Sequence, residues 1–151
     1  MIKQVRNKNF IIAEKIYFLF QSSYLIEAKI LGVEDFPPLN RTIDDIIDSD
    51  SDFYACCSND NFIAVIEIDF EDQLTHIQSL VVCPTYFRQG IGNKMVDFVL
   101  KKYTPSLFSV ETGVDNIPAR RLYEAYGFLE VKQWDTDHNV RKIRYEIKKQ
   151  Y

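Results

Sequence analysis

The chain has 151 residues, of which 46% are hydrophobic and 26% are charged, a globular balance that excludes disordered, collagen-like and coiled-coil chains. Lys and Arg number 18 against 22 Asp and Glu, so the net charge is −4 and we expect no nucleic-acid partner. The cysteines Cys56, Cys57 and Cys83 show neither disulfide nor zinc-binding spacing, which predicts a cytoplasmic chain without a metal.

Apolar residues recur at three- and four-residue steps between residues 9 and 31 and predict one amphipathic helix, which ends at Gly32. Charged residues interrupt this run, so we expect neither a membrane span nor a signal peptide. Pro37-Pro38 then predicts an extended loop, because proline restricts the residue before it and interrupts helices.

A short helix and a series of strands follow. Thr42, with Asp45 three residues later, predicts a capped helix start. Alternating apolar residues separated by turn signals predict strands at residues 53–57, 61–70, 75–83, 107–113, 128–134 and 142–148. Further helices are predicted at residues 93–103 and 116–126. Together these helices and strands predict an α/β chain with a mixed sheet and no linker, and we expect residues 1–151 to form one domain.

A strand–loop–helix stretch at residues 80–93 is the most informative part of the chain. Gly90 and Gly92 let the backbone approach a ligand closely, and the helix that begins there adds partial positive charge. Arg88 adds a full charge with forked donors, so the loop favours a phosphate or diphosphate ligand. It is not a dinucleotide fingerprint, because Met95 stands where the third glycine would be. A tight turn before a helix is the alternative.

Two motifs resemble the GNAT N-acetyltransferases. Tyr-Phe-Arg-Gln-Gly-Ile-Gly at residues 86–92 is similar to their acetyl-CoA loop, Gln/Arg-x-x-Gly-x-Gly/Ala, although Phe87 replaces the first Arg or Gln and Arg88 comes one position later. Residues 116–128 are similar to the signature Asn-x-x-Ala-x-x-Leu-Tyr-x-x-x-Gly-Phe. The two motifs lie in the order that the family has.

The resemblance implies a mixed, mostly antiparallel sheet of six to seven strands flanked by about four helices. It implies transfer of an acetyl group from acetyl-CoA, without a metal, to a primary amine of a small molecule or polypeptide by direct attack in a ternary complex. The positions that would hold the cofactor are Leu80, Val81, Val82, Arg88, Gln89, Gly90, Ile91, Gly92, Asn93, Asn116 and Tyr123. Asn116 alternatively caps its helix.

Acetyl transfer needs an acid for the departing thiolate and a base for the protonated amine. Tyr123 matches the family position of the acid; a core aromatic is the alternative. Glu67 is the predicted base, because it lies in an apolar strand where an unpaired charge is costly. For Glu67, a surface-facing strand position or a salt bridge is the alternative role. His76, Glu111 and a water relay with no dedicated base stay open as other routes for the proton.

The acceptor is expected to meet the variable amino-terminal region, whose rings and carboxylates suit a cationic amine. The residues concerned are Tyr24, Glu27, Glu34, Asp35, Phe36, Pro37 and Pro38. Arg120 and Arg121 would instead suit an acidic acceptor. Two other functions stay open: a CoA-binding or regulatory module with little or no catalysis, and a nucleotide-binding protein. Pairing of the carboxy-terminal strands between two chains would give a homodimer.

Overall fold

The computed structural model describes residues 1–149, which contain one seven-stranded sheet and four α-helices. The strands are β1 (Ile2–Val5), β2 (Asp52–Ser58), β3 (Asn61–Glu71), β4 (Leu74–Val82), β5 (Leu107–Gly113), β6 (Leu129–Asp135) and β7 (Arg141–Lys148). The helices are α1 (Phe10–Leu31), α2 (Ile43–Asp48), α3 (Ile91–Lys102) and α4 (Ile117–Ala125). This confirms the expected mixed α/β fold.

The strand order is β1-β2-β3-β4-β5-β7-β6, and only β4 and β5 run parallel to each other. The sequence analysis missed β1, because this strand has four residues and only Val5 is buried, too few to show an alternating pattern. Strand β7 has neighbours on both sides, so β6 is the open edge at that end of the sheet. Pairing of two chains through β7 would therefore first have to displace a strand.

The sheet opens between its two parallel strands. Strands β4 and β5 pair only from Leu74 opposite Leu107 to Ile77 opposite Val110. On its other side β4 stays paired with β3, apart from a register shift that leaves Gln78 without a partner residue. Such a β-bulge bends a strand and redirects its side chains. The fold therefore leaves a gap beside residues 78–82.

The two faces of the sheet are covered by different helix pairs. Helices α1 and α2 cover one face, where Ile16 and Ile46 are fully buried, and α3 and α4 cover the other. The predicted apolar stripe of α1 is buried only in its first half, because Ile26 and Ile30 line a cavity instead of packing on the sheet. Within residues 1–149, no helix combines the length and the apolar character needed to cross a bilayer.

The segment between α1 and α2 differs from the extended loop that was predicted. Phe36 is extended, as the residue before a proline should be, but Pro37–Asn40 forms one turn of 3₁₀-helix. The expectation was wrong because the fixed φ of proline suits the first positions of a helical turn. The capped start of α2 is confirmed: the Thr42 hydroxyl accepts a bond from the Asp45 N–H, and the Asp45 carboxylate accepts one from the Thr42 N–H.

Candidate active site

A cavity of about 760 Å³ lies at the gap between β4 and β5. It is lined by residues of α1, β4, the glycine loop, the start of α3, β5 and α4. Most of the predicted cofactor positions line it: Leu80, Val82, Arg88, Gly90, Ile91, Gly92, Asn93, Asn116 and Tyr123. Val81 does not, because its side chain packs in the core beneath α1, and the exposed Gln89 lies outside the lining as well.

The start of α3 presents free backbone donors to this cavity. Gly90 caps the helix in the left-handed conformation, with φ of 74°, and no side chain caps the helix there. The first intrahelical bond runs from the Lys94 N–H to the Gly90 carbonyl at 3.1 Å, so the N–H groups of Ile91, Gly92 and Asn93 have no acceptor within the helix. A Cβ added at Gly90 would meet no atom within 4 Å. The loop therefore has donors, partial positive charge and space for an anion.

Tyr123 is both a core aromatic and a cavity residue. Its side chain is 4% exposed and its ring packs against Phe128, with centroids 5.6 Å apart. Among residues 1–149, every fully buried side-chain polar atom has a partner, yet no hydrogen bond involves the Tyr123 hydroxyl, so this oxygen opens onto the cavity. Burial, and then the nearby Glu27 and Tyr24, raise the pKa of Tyr123. The phenol therefore keeps its proton at neutral pH.

Glu27 on α1 reaches the same cavity and is held there by α4. Its Oε1 accepts a 2.8 Å bond from Nδ2 of Asn116, while Oδ1 of Asn116 caps α4 by accepting a bond from the Ala119 N–H at 3.3 Å. Asn116 thus performs the predicted capping role and links the two helices. Burial raises the pKa of Glu27, and the bond from Asn116 and the charge of Lys142 partly oppose this rise.

The raised pKa of Glu27 predicts a pH-dependent effect on stability. The folded state binds this proton more tightly than the unfolded chain, so the stabilisation is complete below the ordinary pKa of Glu and is lost as pH rises through the folded-state pKa. The variant Glu27→Gln cannot ionise. We therefore expect its stability relative to the wild type to increase with pH across that window and then level off. Urea unfolding at a series of pH values measures this, with the exposed Glu34→Gln as the matched control. A difference that does not vary with pH would contradict the prediction.

Glu67, the predicted base, lies on β3 and forms a salt bridge with Arg41. It is 1% exposed, and its carboxylate accepts two bonds from Arg41, at 2.6 and 2.8 Å. Ser79 donates a third bond at 3.0 Å and Ser49 a fourth at 3.4 Å. The carboxylate lines a second cavity of about 730 Å³, to which Gln78 of the bulge also contributes. Gln78 lines both cavities, so the two cavities are neighbours. Glu67 lines the second cavity and is absent from the lining of the first.

The other two candidate bases also have partners. His76 lines the second cavity, its Nδ1 lies 2.7 Å from Oγ of Ser109, and burial lowers its pKa. Glu111 lines the first cavity and is paired with Arg144 at 2.9 Å and with Lys142 at 3.9 Å. In the part of the chain that the structure describes, no group of three His, Cys, Asp or Glu side chains is arranged to hold a metal ion.

The region predicted to meet the acceptor divides into two parts. Tyr24 and Glu27 line the first cavity, whereas residues 34–38 lie outside its lining, where Phe36 packs against Tyr24 with ring centroids 6.0 Å apart. Arg121 also lines the cavity. Arg120 does not, because its guanidinium donates to the Tyr145 hydroxyl and to the Val114 carbonyl.

Some cavity residues were not anticipated from the sequence. Ser23, Ile26 and Ile30 lie on the same face of α1 as Glu27, and Gln78 and Ser79 lie at the bulge of β4. The helical spacing of the first group predicts an amphipathic helix, but it does not distinguish packing in the core from lining a cavity. The bulge leaves no signal in the sequence, because it depends on pairing with β3.

Comparison with known proteins identifies relatives by sequence. The profile of the acetyltransferase (GNAT) family matches residues 13–128, which include both motifs. The chain is 32% identical over 133 residues to UPF0157 protein YqkA of Bacillus subtilis strain 168. That match covers 87% of this chain but only 39% of the relative's length.

Solved structures resemble the whole chain. The ribosomal-protein-S18-alanine N-acetyltransferase of Escherichia coli is 17% identical, with a TM-score of 0.71 over 98% of this chain and 92% of that one. An N-acetyltransferase of Staphylococcus aureus Mu50 is 13% identical, with a TM-score of 0.74 over 98% and 97%. The PaiA N-acetyltransferase of Thermoplasma acidophilum, solved in complex with coenzyme A, is 15% identical, with a TM-score of 0.70 over 95% and 98%. At these identities the likeness is one of fold.

Proposed function

This chain belongs to the GNAT acetyltransferase family, and from that premise we propose that it is an N-acetyltransferase that moves the acetyl group of acetyl-CoA to a primary amine. The acceptor is a small molecule or a polypeptide, and attack is direct, in a ternary complex. Residues 1–151 act as one domain in a reducing cytoplasm, in keeping with the three free cysteines. The observation that carries the proposal is a single cavity lined both by the free N–H groups of α3 and by Tyr123.

The cavity fits the chemical parts of CoA. The N–H groups at the start of α3 and the guanidinium of Arg88 suit the diphosphate. The β5-facing backbone groups of residues 78–82 have no strand partner and suit an extended arm that carries amides. Leu80 and Val82 supply apolar surface beside them. CoA would then extend from α3 along β4 toward Tyr123.

Tyr123 is proposed to protonate the thiolate as it leaves, since its hydroxyl opens onto the cavity and carries its proton at neutral pH. The base predicted from the sequence is Glu67. Its carboxylate already accepts bonds from Arg41 and Ser79, so taking up a proton there would weaken a buried ion pair. Glu67 stays a prediction, which the pH dependence of the Glu67→Gln variant tests.

A panel of amines tests the proposed function. Purified protein is mixed with acetyl-CoA and small primary amines, diamines, amino-sugars and peptides with free amino termini, and the released thiol is measured. Thiol release with at least one amine, together with mass-spectrometric detection of the acetylated product, is the expected result. Binding of acetyl-CoA without thiol release would favour the CoA-binding module. Preference for an adenine dinucleotide over CoA in direct competition would favour the nucleotide-binding protein.

Removing the Arg88 side chain is expected to weaken CoA binding moderately. A charge-assisted hydrogen bond contributes about 1.5–3 kcal/mol, so Arg88→Ala should raise the Kd for CoA roughly 10- to 100-fold, while the backbone donors of α3 keep some affinity. Calorimetric titration with CoA measures this. Lys94→Ala, one turn into the same helix and outside the cavity lining, is the control. An unchanged Kd for Arg88→Ala would show that Arg88 does not reach the diphosphate.

A further inference from the structure

We infer that Glu27, oriented by Asn116, accepts the proton of the acceptor amine, so that helix α1 supplies the base and helix α4 supplies the acid. The inference rests on the proposed acetyl transfer. It identifies a base that was not among the candidates predicted from the sequence. It also means that the amine must reach the cavity beside α1.

The position of Glu27 is the first argument. Its side chain lines the cavity together with Tyr123 and the start of α3, whereas the carboxylate of Glu67 lines the neighbouring cavity. A base must come within hydrogen-bonding distance of the proton that it removes, and an amine that attacks a thioester beside Tyr123 lies in the first cavity. Glu27 and Glu111 are the carboxylates that line this cavity within residues 1–149.

The hydrogen bonds of Glu27 are the second argument. Asn116 donates to Oε1, and Oε2 accepts no hydrogen bond from any residue that the structure describes. One oxygen is thus oriented and the other is free for a substrate proton. Glu111 is instead paired with Arg144 and Lys142. Glu67 accepts four hydrogen bonds, of which Arg41 donates two. Glu27, which takes part in no ion pair among the described residues, is therefore the better proton acceptor of these three.

The surroundings of Glu27 set its proton affinity. The charge of Lys142 on β7 acts on it, and the titratable and charged groups that line the same cavity are Tyr24 on α1, Arg88 and Tyr86 in the glycine loop, Glu111 on β5, and Tyr123 and Arg121 on α4. Burial outweighs the charge of Lys142 and the bond from Asn116, so proton uptake is favoured relative to an exposed Glu. This environment is suited to a group that takes up a proton and then releases it to water.

The acceptor nitrogen loses two protons during the proposed transfer. The ammonium group of the acceptor gives one proton to Oε2 of Glu27, and the nitrogen lone pair then forms the C–N bond with the thioester carbon. The C–S bond breaks and the sulfur takes the proton of the Tyr123 hydroxyl. The second proton lost by the nitrogen restores this phenol, and Glu27 releases its proton to solvent. The products are one amide, one thiol and one proton.

Steady-state kinetics of the Glu27→Gln variant test the inference. Gln keeps the shape of the side chain and still accepts the bond from Asn116, but it cannot take up a proton. We expect kcat to fall about 10²-fold near neutral pH, with the amine KM and the CoA Kd changed less than about threefold. The acid limb of the pH–rate profile should disappear. The deficit should shrink at high pH, where the amine is neutral in solution and needs no base.

Two variants complete the test. Glu14→Gln, an acid of α1 outside the cavity lining, is the matched control and should keep wild-type kinetics. Asn116→Asp keeps the helix cap but places a second carboxylate beside Glu27, so the acid limb should move to higher pH. This variant also provides the test if Glu27→Gln does not fold.

Different experimental results would overturn the role of Glu27 and the proposed acetyl transfer. Thiol release by the wild type with an unchanged acid limb in Glu27→Gln, or loss of that limb in Glu67→Gln alone, would overturn the role of Glu27 and leave the acetyl transfer intact. Absence of thiol release by the wild type with every amine of the panel would overturn both.

Discussion

Replacing Tyr123 with Phe is expected to lower kcat for acetyl transfer about 10²-fold, while the amine KM and the Kd for CoA change less than about threefold. The variant keeps the ring that packs against Phe128 and removes only the hydroxyl, which makes no hydrogen bond within the described residues. The free energy of unfolding should therefore change by less than about 0.5 kcal/mol. Because the lost group acts only when the C–S bond breaks, the defect should be confined to kcat. Thiol release under steady-state conditions measures it.

Tyr145 offers a matched control for this prediction. Its ring lies 6.3 Å from the ring of Tyr123, but its hydroxyl takes part in hydrogen bonds with Arg120 and Glu124 and does not line the cavity. Tyr145→Phe should therefore lose stability and keep its kcat. Wild-type turnover in Tyr123→Phe would remove Tyr123 from the mechanism and leave it a core aromatic whose hydroxyl happens to face the cavity.

The fold was largely predictable because most of its elements have a local signal. Helix α3 shows this: the four-residue spacing of Met95 and Val99 marks its buried face, and the glycine at its start marks its boundary. The short strand β1 and the helical turn at Pro37 were missed because neither has enough residues to show a period. Strand β1 is formed by pairing with the distant strand β2, whereas the turn follows from the fixed φ of its prolines.

The candidate site was predictable only where a motif marks it. The glycine loop and Tyr123 belong to motifs, and both line the cavity. Glu27 belongs to neither motif, and it meets Asn116 across 89 positions of sequence. The partner of Glu67 was not predictable from the sequence either, because Arg41 lies 26 residues away on an irregular segment. Sequence spacing shows that a buried carboxylate needs a partner, but the fold determines which residue provides it.

Removing Arg41, the partner of Glu67, is expected to cause a large loss of stability. Arg41→Ala leaves a carboxylate that is 1% exposed with two serine hydroxyls and no cation, so the free energy of unfolding should fall by about 3–5 kcal/mol. Urea unfolding at neutral pH measures this loss. Arg141→Ala removes the exposed pair with Asp135 and should cost no more than about 1 kcal/mol.

The double variant Arg41→Ala with Glu67→Gln separates the charge from the packing of the guanidinium. Gln leaves no unpaired charge at position 67, so the double variant should recover much of the stability that Arg41→Ala alone loses. The arginine also lies over the rings of Phe20 and Phe53, 5.7 and 6.0 Å from their centroids, so recovery should be incomplete. If Arg41→Ala alone cost less than about 1 kcal/mol, water would have to reach Glu67 through the second cavity, and the buried ion pair would not be a determinant of the fold around the site.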